Sequence, residues 1–252
     1  MITFGQADGD IDFPGDLQTM NINQLTFFFQ INTLASHTFL PHLIGNKPTI
    51  VDLGGNRGDF YREISRRFDI RRYIAIEPNS NLTGWAVGDP KIELRHYALT
   101  QTDGPVQFGV DENPEASRVA TASAANNITV EGRSFASIIA ELKIDRIDLL
   151  KMDIEGSEID LIMQTPAELL QRIGQITLEF HDFCNFSTPV QVQDAISHLE
   201  KSGFSGIQFS RDNSNWCFVR KDNPRFSTLK FLAARHVAAP VRRTKHWLQQ
   251  LF

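Results

Sequence analysis

Four stretches of this chain gather residue types that can bind or move charge. Lys151-Met152-Asp153-Ile154-Glu155-Gly156-Ser157-Glu158 sets one cation and two carboxylates within five residues, then a glycine. Glu179-Phe180-His181 puts a carboxylate and an imidazole on the same face of an extended chain. Asp52 stands just before the glycines Gly54, Gly55 and Gly58. Glu77, Pro78 and Asn79 follow at the offset where a fold with such a turn places a further ligand-binding acid. Groups of this kind suit a cationic small molecule and the removal of a proton from a hydroxyl.

Each stretch needs an element to hold it. Ile50-Val51 reads as a buried strand ending at Asp52, and Phe60, Ile64 and Phe68 mark one face of a helix after the glycines. Glycines in such a turn permit positive φ and let a ligand approach without a Cβ in the way. The helix start adds unpaired N–H groups and a positive dipole end. No two of these glycines are separated by a single residue, so the G-x-G-x-x-G of dinucleotide enzymes is missing. Tyr61, Tyr73 and Tyr97 all lack a lysine four residues on, which argues against a short-chain nicotinamide dehydrogenase. Asp52 suits S-adenosylmethionine (SAM), whose sulfonium and amino group are cationic and which has no phosphate to repel. A second strand, Tyr73–Ile76, delivers Glu77 to the position where a ribose lies, with a carboxylate able to accept from both hydroxyls.

Ile147–Met152 is a further strand, with Asp153 at its carboxyl end, and a helix is expected over about Glu155–Thr165. Gln175–Phe180 is the next strand and runs into His181. Asp153, Glu179 and His181 are therefore expected to converge at the carboxyl edge of a sheet. Ile92–His96, running into Tyr97–Thr100, supplies another strand, and Val106–Val110 and Ile128–Val130 two more. Helices are expected at Phe135–Leu142 and Gln191–Lys201. Ile207–Phe209 and Trp216–Val219, joined by Asp212–Asn215, read as an antiparallel hairpin. The polar stretch Asp111–Asn127 is expected to be a substrate-facing flap. Ahead of the first strand, Asn23–Leu43 is expected to be a helix, with Phe27–Phe29 serving core packing, a lid or a dimer surface.

The 252 residues suit an N-terminal helical extension over 1–47, an α/β domain over 48–221 and a tail over 222–252. Residues 221–252 hold seven Lys/Arg and one acid, whereas the whole chain carries a net charge of −5. Pro240 is expected to split the tail into two short amphipathic helices that either pack on the body or act as a peripheral-membrane or partner-docking element. Asp8, Asp10, Asp12 and Asp16 crowd the start, so no signal peptide is expected. No apolar run reaches the roughly 18 residues of a membrane span. Cys184 and Cys217 form no metal or disulfide pattern and read as reduced thiols in a cytoplasmic protein, at most peripheral to the inner membrane face. No nucleic-acid partner is expected, and a homo-oligomer is left open.

Val51-Asp52-Leu53-Gly54-Gly55-Asn56-Arg57-Gly58, Ile76-Glu77-Pro78-Asn79, Lys151–Glu158 and Leu178-Glu179-Phe180-His181 together resemble the FkbM family of SAM-dependent methyltransferases. K-x-D-x-E-G-x-E is the most specific of these motifs, and the likeness spans roughly Thr49–Arg220. It implies a Rossmann-like α/β fold of class I: a seven-stranded, mostly parallel sheet with one antiparallel C-terminal strand and helices on both faces. It implies O-methylation of a hydroxyl on a sugar, glycan or glycosylated metabolite, with a polyketide or other small molecule as the alternative acceptor. A SAM-binding partner without catalysis is the other alternative. Asp52, Gly54, Asn56 and Gly58 are expected to hold the methionine part, Glu77, Pro78 and Asn79 the ribose side, and Ala98 and Leu99 the adenine. Asp153 lies by the methyl group, His181 with Glu179 is the expected base, and Glu155 orients the acceptor. Asp153, Glu155 and Glu179 could hold Mg²⁺, but their spacing does not demand it and no metal is expected.

Overall fold

The computed structural model describes residues 31–109, 118–119, 127–181, 188–240 and 243. Its centre is a mixed seven-stranded sheet. In chain order the strands are β3 (Thr49–Leu53), β4 (Arg72–Ile76), β5 (Ile92–Arg95), β10 (Leu149–Met152), β11 (Gln175–Glu179), β12 (Phe204–Gln208) and β13 (Asn215–Arg220). In space the order is β12-β13-β11-β10-β3-β4-β5. β13 runs antiparallel to both neighbours, and every other pair is parallel.

β3, β10 and β4 are central strands and nearly all their residues are buried, which explains their unbroken apolar runs. Alternate residues serve opposite faces. Val51, Leu53, Leu150, Met152, Ile176 and Leu178 pack against α2 (Phe135–Glu141), α3 (Glu158–Gln164), α4 (Ala167–Leu170) and α5 (Pro189–Lys201). Ile50, Tyr73 and Leu149 face the other way, toward Phe60 and Ile64 of α1 (Asp59–Ile64). Each such buried side chain contributes roughly 1.5–3 kcal/mol relative to exposure.

The helix expected over Asn23–Leu43 is not formed in its described part. β1 (Asn32–Leu34) and β2 (His37–Phe39) make an antiparallel hairpin, and Pro41–Leu43 form a 3₁₀ turn. The hairpin turn is Ala35-Ser36, both at positive φ, the geometry of a two-residue turn whose twist matches its strands. Leu34 and Phe39, which suggested a helix face, instead anchor the two strands in the core beside Phe60. Phe27–Phe29 lie outside the described residues.

The run Ile92–Thr100 is also not one strand. The chain breaks at His96, whose Nδ1 lies 3.0 Å from the Glu77 carbonyl oxygen. Beyond it β6 (Tyr97–Leu99) joins a second, four-stranded sheet with β7 (Gly104–Gly109), β8 (Arg118–Val119) and β9 (Asn127–Arg133), in the order β6-β9-β7-β8. The rest of the expected flap Asp111–Asn127, apart from the start of β9, lies outside the described residues.

α6 (Thr228–Ala233) passes into a π-helical turn, Ala234–Ala238, and stays helical to Pro240 instead of stopping before it. Phe231, Ala234 and Ala238 pack on Leu40, Leu43, Ile207, Cys217 and Val219, so this part of the basic tail covers the chain's own sheet. Cys217 is a buried free thiol, and burial pushes its pKa up; Cys184 lies outside the described residues. No helix among the described residues is long and apolar enough to cross a membrane.

Candidate functional site

Lys151 and Asp52 are paired across β10 and β3, which puts their side chains on the same face of the sheet. The Lys151 Nζ lies 3.1 Å from Asp52 Oδ1, 2.5 Å from the Gly54 carbonyl oxygen and 3.5 Å from Asp153 Oδ2. Burial alone would lower the lysine pKa, but the charges of Asp52 and Asp153 outweigh it and raise it. The Tyr73 hydroxyl donates to Asp52 Oδ2. Asp52 is fully buried, and its carboxylate is occupied by Lys151 and Tyr73. Through Lys151, which also meets the Gly54 carbonyl, it orders the glycine turn.

Asp153 follows β10, and its N–H donates to the Leu53 carbonyl across the strand ends. Its side chain is 30% exposed. One oxygen, Oδ2, faces His37 Nε2 at 3.3 Å; the other, Oδ1, faces His181 Nε2 at 3.6 Å. Burial would raise the Asp153 pKa, but Lys151 and the two histidines hold it well below the usual carboxylate range. Two clusters share this residue: His37, Asp153 and Glu179, and Asp153, Glu155 and His181.

His181 is nearly buried, with Nδ1 2.9 Å from Glu158 Oε1 and Nε2 3.4 Å from Glu155 Oε2. Glu158 is fixed in turn by the Ile154 and Gly156 N–H groups, which donate to it. Burial would lower the His181 pKa, but the hydrogen bond to Glu158 and the charges of Glu158, Glu155 and Asp153 carry it up to about 9. The same contacts favour its protonated form. Burial, joined by the charges of neighbouring acids, raises Glu155 to about 7 against an opposing pull from His181. Burial and Asp153 also raise Glu179, and its carboxylate accepts no hydrogen bond from another described residue.

The glycine turn serves the protein's own packing. Gly54 has φ +82°, and a Cβ there would fall 1.8 Å from the Asp153 carbonyl oxygen. Gly58 has φ +78°, and a Cβ would fall 2.2 Å from the Trp85 ring. The room a Cβ would need at these two glycines is taken by backbone and indole. Between them, Asn56 donates its N–H to Glu77 Oε2 at 2.9 Å, and Asn79 donates its own to Glu77 Oε1 at 2.9 Å. Burial raises the Glu77 pKa, and these two bonds partly offset it. Pro78 sits between these anchored residues. The Asn79 side chain caps the next turn by accepting from the Asn81 N–H. Asn56 Oδ1 is buried with no hydrogen-bond partner among the described residues.

Residues 52–205, more than half of the chain, match the family described as the methyltransferase FkbM domain. The chain belongs to the FkbM methyltransferase family. It is also 23% identical over 246 residues to the AMB antimetabolite synthetase AmbE of Pseudomonas aeruginosa, covering 77% of this chain but only 11% of that synthetase. Among solved structures it is similar to a Methanococcus jannaschii fibrillarin pre-rRNA processing protein, at 12% identity and a TM-score of 0.41, covering 87% of this chain and 86% of that one. A ribosomal protein L11 methylase from Lactobacillus delbrueckii subsp. bulgaricus is similar at 13% identity and a TM-score of 0.39, covering 78% and 76%.

Within this FkbM domain, Asp153, Glu155, Glu179 and His181 come together at one sheet edge, and Asn56, Glu77 and Asn79 at the adjoining one. Ala98 and Leu99 lie in β6. Ala98 is buried opposite Gly132, and Leu99 lines a cavity of about 270 Å³ with Thr100, Ser134, Phe135, Ser157 and Leu161. None of the residues lining that cavity belongs to the Asp153 cluster. Three contributors escaped the sequence: His37, Trp85 and the pairing of Glu158 with His181. His37 gave no local signal, whereas Glu158 lay inside the K-x-D-x-E-G-x-E run.

Proposed function

We propose that this FkbM domain moves the methyl group of SAM onto a hydroxyl oxygen of a sugar, glycan or glycosylated metabolite. SAM supplies an electrophilic methyl whose leaving group is a neutral thioether. The donor set fits it. The partnerless Asn56 Oδ1 can accept from the amino group. Glu77 uses one lone pair per oxygen on Asn56 and Asn79, leaving acceptors for ribose hydroxyls. The acidic edge around Asp153 suits a sulfonium.

The observation that carries the reading is the convergence of Asp153, Glu155, Glu179, His37 and His181, drawn from three distant parts of the chain. In the transfer the acceptor oxygen gains the methyl carbon, the carbon–sulfur bond breaks, and the hydroxyl proton needs a base. We assign that base to Glu179, whose carboxylate is not engaged by another described residue, while His181 and Glu155 line the acceptor side. Holding oxygen and methyl in line supplies much of the rate. The likeness to a segment of an antimetabolite synthetase supports a second acceptor class, the hydroxyl of another small secondary metabolite.

The test is transfer of label from methyl-labelled SAM to a panel of sugar, glycoside and polyketide acceptors, with Glu179→Gln alongside. A hundredfold or greater fall in kcat in Glu179→Gln, with SAM affinity kept, is expected. SAM binding with no transfer to any hydroxyl would favour a non-catalytic partner, and unchanged kcat in Glu179→Gln would remove it as base.

A further inference from the structure

We propose that Asp153, Glu155 and His181 form a site for a divalent first-row transition cation, with the imidazole as nitrogen ligand and the two carboxylates as oxygen ligands.

Spacing is the first argument. His181 Nε2 is 3.6 Å from Asp153 Oδ1 and 3.4 Å from Glu155 Oε2. Charge-assisted hydrogen bonds close to about 2.7–2.9 Å, so these pairs are held apart. Donors bonded at about 2.1 Å to one ion at octahedral or tetrahedral angles stand about 3.0–3.4 Å from each other. The ligand atoms of the three side chains all lie within 4.8 Å of one another, close enough for one ion to draw them together.

Ring orientation is the second, independent argument. A metal-binding histidine usually gives its other N–H to a carboxylate, which fixes the tautomer and aims the ring. Here Glu158 Oε1 sits 2.9 Å from His181 Nδ1, and Glu158 is itself 1% exposed and tied to the Ile154 and Gly156 N–H groups. Nε2 faces Asp153 Oδ1 and Glu155 Oε2.

Charge points the same way. Asp153, Glu155, Glu158 and Glu179 meet at this edge, and Lys151 already serves Asp52. His37 and Lys151 hold Asp153 Oδ2, which leaves Oδ1 toward the site. The side chains of Asp153 and Glu155 are 30% and 20% exposed, so an ion can enter. A mixed imidazole–carboxylate set favours a transition ion over Mg²⁺.

If the methyl-transfer reading holds, an open coordination position would take the acceptor hydroxyl and lower its pKa before Glu179 receives the proton. That consequence rests on the proposed function; cation binding does not.

The test uses the full chain after chelation, titrated with MnCl₂ and followed by electron paramagnetic resonance, with SAM binding measured by calorimetry on the same preparations. About one Mn²⁺ per chain should bind, with a nitrogen coupling from imidazole in the pulsed spectrum. Glu155→Gln should weaken binding at least tenfold, and His181→Asn should abolish the nitrogen coupling. Glu158→Gln, which removes no ligand, should weaken binding about 10–100-fold. Retained SAM binding shows that each variant is folded. No Mn²⁺ binding by wild-type protein that binds SAM overturns the proposal, as does binding that lacks the nitrogen coupling or is untouched by Glu155→Gln and His181→Asn. Mn²⁺ binding of the expected kind without SAM binding upholds the cation site and overturns the methyl-donor reading instead.

Discussion

His37 Nε2 lies 3.3 Å from Asp153 Oδ2 although 116 residues separate them, and the histidine side chain is only 1% exposed. The ring is delivered by the β1–β2 hairpin and rests edge-on against Phe60, 5.9 Å between centroids. Asp153 is thus oriented from outside the segment that matches the family. His37→Ala should lower kcat/KM for methyl transfer about tenfold or more, because Asp153 loses the partner on one oxygen. His37→Gln, which keeps an N–H donor, should recover much of that loss. Steady-state rates on the best acceptor decide it; full activity in His37→Ala would show that Lys151 and His181 suffice to aim Asp153.

The pairing of His181 with Glu158 makes stability depend on pH in a defined direction. The His181 pKa is about 9 in the folded chain and near its ordinary 6.5 when unfolded, so the folded state holds the extra proton between those values. The stabilisation is complete below pH 6.5 and is lost as pH rises toward 9, about 3 kcal/mol on this group alone. Glu155, raised to about 7, acts in the same sense at lower pH, since its folded form also keeps a proton that the unfolded chain releases. Denaturation of chelator-treated protein from pH 6 to 9 should therefore show falling stability, with a shallower slope in Glu158→Gln. A flat wild-type profile would mean that His181 is not held as an imidazolium.

Particular residues show what the sequence could and could not reveal. Asp153 and Glu77 were legible because each ends a short β-branched or apolar run, and a parallel strand that stops at a charge puts that charge at the ligand-binding edge. His37 was not, because its contact is long-range and the hairpin turn Ala35-Ser36 lacks the Gly, Asn or Asp that usually marks positive φ. Leu34 and Phe39 also imitated a helix face. The second sheet was hidden by a continuous run from Ile92 to Thr100, interrupted only by the long-range contact of His96 with Glu77. Asp52 and the glycines were found without their buried neighbours: an acid before a glycine turn reads the same whether or not a lysine such as Lys151 lies beside it.

Gln175 docks the hairpin. Its Oε1 accepts from the Leu40 N–H at 2.7 Å, its Nε2 donates to the Leu40 carbonyl at 3.2 Å, and the residue is fully buried. The side chain thereby imitates a strand neighbour where β2 ends. Gln175→Leu keeps the bulk but strands the buried Leu40 N–H, while the Leu40 carbonyl keeps its bond from the Leu43 N–H, so a loss of about 1–3 kcal/mol is expected in urea denaturation. Because His37 rides on that hairpin, methyl transfer should fall as well. A loss below about 1 kcal/mol would show that apolar packing of Leu34 and Phe39 holds the hairpin without it.

Gly54 and Gly58 share a backbone conformation but should respond differently to alanine. Either substitution places a Cβ in the left-handed region, at about 1–2 kcal/mol. At Gly54 the new atom would also lie 1.8 Å from the Asp153 carbonyl oxygen, which is backbone and tied into the strand ends. Relief requires moving Asp153, so Gly54→Ala should cost about 3 kcal/mol or more and abolish transfer, and no side-chain change should rescue it. At Gly58 the obstacle is the Trp85 ring, which is partly exposed and held by one bond from Nε1 to the Asn56 carbonyl at 2.8 Å. Truncating that ring removes the clash and leaves only the backbone term. Gly58→Ala should therefore cost about 1–2 kcal/mol less in a Trp85→Ala background than in the wild type, read as the coupling energy of a double-mutant cycle. A coupling near zero would mean that the indole swings aside freely and does not wall the glycine turn.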